Sequence, residues 1–62
     1  MEFTQQDLDD FWRYEEVRLE GKYNMFDPMA RYATGLTREV YLFVMGNYSE
    51  LKKADMENRS NI

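Results

Sequence analysis

Gly21-Lys22-Tyr23-Asn24-Met25-Phe26-Asp27-Pro28 separates two segments with helical periodicity, and its reading decides the fold. The residue before a proline is pushed out of the α region, as an N-cap must be, and an aspartate there accepts from the free amides of a first turn. Proline at the first helical position loses nothing, because its missing N–H would have had no partner. Asp27-Pro28 therefore predicts a helix start. Gly21 supplies the left-handed residue that ends the preceding helix. Tyr23, Met25 and Phe26 between these marks are too apolar for a solvent loop, and the expectation is that they plug the gap between helices.

Upstream, Thr4-Gln5-Gln6-Asp7 has the spacing of a capping box, with Asp7 as the short form of the usual glutamate. Asp7, Asp9 and Asp10 place negative charge at the positive end of the helix dipole. The first helix is expected from Gln5 to Glu20. At 100° per residue, Leu8, Phe11, Trp12 and Leu19 share its inward face. Glu15 falls inside that stripe. Either it snorkels to water at the edge of a short helix, or it is a buried carboxylate paired with Arg31 or Arg38. Tyr14 and Val17 point away from the stripe and are candidates for a contact surface.

Downstream, Pro28 to Ala33 makes a short helix with Met29, Tyr32 and Ala33 directed at the first, closed by Gly35. Thr37 caps a third helix running to about Met56, whose inward face is Val40, Phe43, Val44, Asn47, Tyr48, Leu51 and Ala54. Gly46-Asn47 is its weak point, because glycine costs about 1 kcal/mol in a helix interior. A break there, with Ser49 capping a fourth helix, is the alternative. Leu42, Met45, Gly46, Ser49 and Met56 lie on the opposite side, and one helix cannot send both faces into so small a core. With Tyr14 and Val17 they form the candidate partner-binding set, methionine being suited to surfaces that repack. The fold class is thus all-α, a three-helix domain (long, short, long) over residues 1–56 closed by the aromatic connector, with 57–62 a disordered tail.

Composition narrows function. The 62 residues hold neither cysteine nor histidine, which excludes thiolate and imidazole chemistry. A carboxylate pair could serve as acid and base, but so small a helical domain offers little dry volume to tune it, so neither an enzyme nor a cofactor is expected. No segment has the acidic loop spacing of a calcium site, so no metal is expected. No apolar run approaches about 20 residues and no signal peptide is evident, so the expectation is a cytoplasmic protein with no membrane segment. Eight basic against twelve acidic residues give a net charge of −4, which repels a phosphate backbone. Aromatic residues reach 16%, serving a small core and, with methionine and arginine, an interface.

The short second helix, the turn at Thr34-Gly35 and the third helix have the outline of a helix-turn-helix, yet Arg38 is the one basic residue early in the third helix and Glu39 follows it. Nucleic acid is therefore not the expected partner. Gly21, Asn24-Met25-Phe26-Asp27, Gly35-Leu36 and Asn47-Tyr48 together resemble small bacteriophage-encoded proteins of uncharacterised function with an Asn-Met-Phe-Asp connector. The resemblance implies a phage origin, action in the bacterial host cytoplasm and no catalytic residues. The resulting expectation is an acidic interaction protein that binds and modulates or inhibits a host protein or defence component, as a homo-oligomer, a dimer in the simplest case. The alternatives are an oligomer that sequesters a nucleotide signal through Tyr23, Phe26 and Arg31, a helix-turn-helix-like regulator, and a virion component.

Overall fold

The computed structural model describes residues 2–60, and these form four helices: α1 (Gln5–Glu20), α2 (Pro28–Thr34), α3 (Arg38–Gly46) and α4 (Tyr48–Ser60). Among the described residues there is no strand, in keeping with the all-α expectation. Local signals set most boundaries. The Thr4 N–H donates to Asp7 Oδ2 at 2.9 Å and the Asp7 N–H to Thr4 Oγ1 at 3.1 Å, completing the capping box. Asp27 Oδ1 accepts the Met29 N–H at 2.9 Å, and Thr37 Oγ1 the Val40 N–H at 3.3 Å. Gly21 and Gly35 close α1 and α2 at φ of 71° and 75°.

The long third helix is instead two. Its inward face stays in phase, but the helix stops at Asn47 (φ −117°, ψ 22°) and restarts at Tyr48. The Asn47 side-chain amide donates to the Phe43 carbonyl at 2.8 Å, beside the Asn47 N–H at 3.1 Å. The side-chain bond shares the carbonyl that the helical N–H uses, and so competes with continued winding at a residue that already follows glycine. Ser49, proposed as the cap, lies inside α4 and faces solvent. Helix α4 runs on to Ser60, so residues 57–60 of the expected tail are helical; Asn61 and Ile62 lie outside the described residues.

Helix α1 is the common support, packed against each of the other three. Having neighbours on several sides, it buries a wider arc than one stripe. Tyr14 and Val17, expected outside, are 5% and 6% exposed, whereas Leu19, expected inside, faces solvent. The Tyr14 ring meets Tyr41 and Tyr48 at centroid separations of 5.2 and 6.0 Å. Phe11, Val44 and Leu51 make the centre of the core. Helix α2 turns Ala30 and Thr34 inward rather than Met29, Tyr32 and Ala33, its small side chains permitting close approach to α1.

Two polar clasps join α1 to α4. The Trp12 indole N–H donates to Asp55 Oδ1 at 2.7 Å, and Arg59, 3.1 Å from Asp55 Oδ2, stacks its guanidinium on the indole at 4.3 Å. Glu15 is 4% exposed and accepts from Tyr48 Oη at 2.6 Å and from Arg18 Nε at 2.5 Å. The buried reading of Glu15 is thus right, but Arg31 and Arg38 are not its partners. Arg18, one turn away on the same helix, and Tyr48 from α4 take that place.

Candidate functional site

The connector is a tight turn. The Asp27 N–H donates to the Asn24 carbonyl at 2.8 Å, the Phe26 N–H to Asn24 Oδ1 at 2.9 Å, and Tyr41 Oη to the Met25 carbonyl at 2.6 Å. Asparagine at the first position of such a turn holds the backbone through its own side chain. Neighbouring residues on it point apart. Met25 packs against the core, whereas Phe26 is 84% exposed. Phe26 is therefore no plug, and Tyr23 is also exposed.

Phe26 stands at the edge of an open groove of about 270 Å³. One wall is the connector and the start of α2, with Met25, Phe26, Asp27, Pro28 and Arg31; the other is one stripe of α3, Arg38, Tyr41, Leu42 and Met45. These α3 residues are spaced i, i+3, i+4 and i+7, so they line one face. Leu42 is 49% exposed and Met45 is half-buried. Arg31 stacks on the exposed Tyr32 ring at 4.8 Å. Among the described residues, neither Arg31 nor Arg38 has a carboxylate within ion-pairing distance. Asp27 lines the groove, but its Oδ1 already caps α2.

The groove unites residues drawn from two separate expectations: Leu42 and Met45 from the partner-binding set, and Phe26 and Arg31 from the ligand-binding set. Tyr23 does not line it. Tyr14 and Val17 are in the interior and leave the partner-binding set, because helices pack against both flanks of α1. Gly46, Ser49 and Met56 are exposed but lie off the groove, the last two beyond the break at Asn47. Sequence reading assigned Arg38 to Glu15 and so missed its place here. The i, i+3, i+4, i+7 spacing from Arg38 to Met45 is the signal that marks it.

The remaining polar clusters are closed. Burial would raise the Glu15 carboxyl, but the hydrogen bonds from Arg18 and Tyr48, with the charges of Arg18 and Lys52, hold it below its ordinary value. Burial and the bond to Glu15 push the Tyr48 hydroxyl up. Among the described residues, no buried side-chain nitrogen or oxygen lacks a partner. Compared with protein-family models, curated proteins and solved structures, the chain matches none, so its role is argued from the chemistry of the groove.

Proposed function

We propose that this chain is a small interaction protein that docks another protein in the groove between the connector and α3, and modulates or inhibits it. The observation that carries this is the presentation of Phe26. Leaving such a ring in water forgoes about 1.5–3 kcal/mol of burial. The turn that does so is fixed by Asn24, Tyr41 and the Asp27 cap, so docking orders little further. A rigid aromatic beside Leu42 and Met45 has the make-up of an interface anchor. The class of partner proposed here, a host protein or defence component in the bacterial cytoplasm, is the one that the phage-like connector sequence implies.

The test is affinity capture with wild type, Phe26→Ser and Leu42→Asp, each first checked for helicity and cooperative melting. The expected result is a protein retained by wild type and lost by both variants, which then binds the purified wild-type chain in calorimetry. Identical retention by all three baits would refute docking at this groove.

A second reading rests on Phe26, Arg31 and Arg38 sharing one groove: an aromatic ring and two cations suit a nucleotide. It predicts a rise in melting temperature with a nucleotide that Arg31→Ala abolishes.

A further inference from the structure

We infer that the groove takes an acidic–apolar segment of another protein, its carboxylate held by Arg31 and Arg38 and an apolar side chain seated against Phe26, Leu42 and Met45. This rests on the docking reading and specifies its occupant.

The polarity of the groove follows from topology. Arg31 lies four residues before Gly35 and Arg38 three after it, so both cations stand near the α2–α3 turn. Met45 is two helical turns further along α3, about 10 Å away at 1.5 Å per residue. Phe26, before the start of α2, also lies away from that turn. The site therefore has a cationic end and an apolar end.

Charge then selects among occupants. The chain carries twelve acidic residues against eight basic ones, and Glu15 and Asp55 pair with Arg18 and Arg59. Arg31 and Arg38 have no such carboxylate among the described residues. Guanidinium groups recognise carboxylates through paired N–H donors, and two of them lining one groove complement an occupant that carries a carboxylate. A second copy fits poorly. A two-fold pairing on this face would bring both copies' Arg31 and Arg38 into one interface, where Asp27, already capping α2, is the one acidic residue among the described groove residues. A nucleic acid fits poorly too, since its continuous row of phosphates would meet an apolar wall beyond the two cations. A groove of about 270 Å³ holds a few side chains, which suits a short segment rather than a broad flat interface.

The test selects a randomised dodecapeptide display library on the immobilised chain and measures the enriched peptides, synthesised and labelled, by fluorescence anisotropy. Enriched peptides are expected to combine Asp or Glu with an aromatic or aliphatic residue. They should lose affinity about tenfold or more on the Arg31→Glu/Arg38→Glu double variant, and weaken as salt rises from about 50 to about 300 mM. Peptides with Lys in place of the acid should regain binding to the double variant, which also certifies that it is folded.

Peptides that require Leu42 but carry no acid, or that bind the double variant undiminished, overturn the inference and leave the docking reading standing. Absence of any peptide whose binding falls on Leu42→Asp overturns both. Light scattering that shows a concentration-dependent dimer, split by Leu42→Asp, replaces the occupant with a second copy and likewise overturns the inference.

Discussion

Tyr48 donates its phenolic hydrogen to Glu15 Oε2 across 2.6 Å, joining groups 33 positions apart and fastening α4 to α1. The carboxylate it meets is buried, which alone would raise the Glu15 pKa; Arg18 and Tyr48, helped by Lys52, reverse the sign. Because the folded pKa is lowered, the ion's stabilisation is present above the ordinary carboxylate value of about 4.3 and is lost as pH falls through the folded value. Urea midpoints measured on either side of that window should decline more steeply for wild type than for Glu15→Gln. Parallel declines would show that the fold does not favour the ionised form.

The tyrosines extend the argument to alkaline pH. Burial raises the hydroxyls of Tyr14, Tyr41 and Tyr48; the negative charge of Glu15 adds to the rise at Tyr14, against Arg18, and Tyr14 adds to it at Tyr41. Their neutral forms are favoured by folding. That stability is present below about pH 10 and disappears as pH climbs through the raised folded values. Tyrosinate absorbance should therefore rise at higher pH in buffer than in concentrated urea. Coincident curves in the two solvents would place these rings in water.

Phe26→Ala should leave stability within about 0.5 kcal/mol of wild type, since the ring is in solvent. Phe11→Ala, at the centre of the core, should cost about 3–5 kcal/mol. Denaturant melts of the two variants settle the comparison, and a similar loss in both would return Phe26 to the interior.

Glycine substitutions should divide by backbone angle. Gly46 has open space where a Cβ would stand and is helical, so Gly46→Ala is expected to stabilise by about 0.4–1 kcal/mol. Gly35 is at φ 75°, a left-handed angle that strains any residue with a Cβ, so Gly35→Ala should destabilise. Thermal melts that move in the same direction for both variants would contradict this account.

What the sequence made legible is what a few neighbouring residues decide. Thr4 with Asp7, Asp27 with Pro28, and Gly21, Gly35 and Thr37 each act within one turn, and each boundary they predict is present. The face of α1 was not legible, because three helices share it and the buried arc spreads to Tyr14 and Val17. The stripe left Glu15 open between an edge position and burial, and its partner Tyr48 depends on how α4 docks. Of the groove, Leu42 and Met45 were visible as the exposed side of α3. The connector wall depended on the Asn24 turn, which reverses the direction expected for Phe26.

The clasps between α1 and α4 also constrain how the molecule comes into being. A ribosome delivers Trp12 and Glu15 early, but Tyr48 and Asp55 only near the end of these residues. Until they arrive, the Trp12 indole lacks its acceptor and Glu15 has only Arg18 of its own helix. The α1–α4 clasps thus close only once α4 is present, whereas the bonds that hold the Phe26 turn come from Asn24, Asp27 and Tyr41, all upstream of that helix.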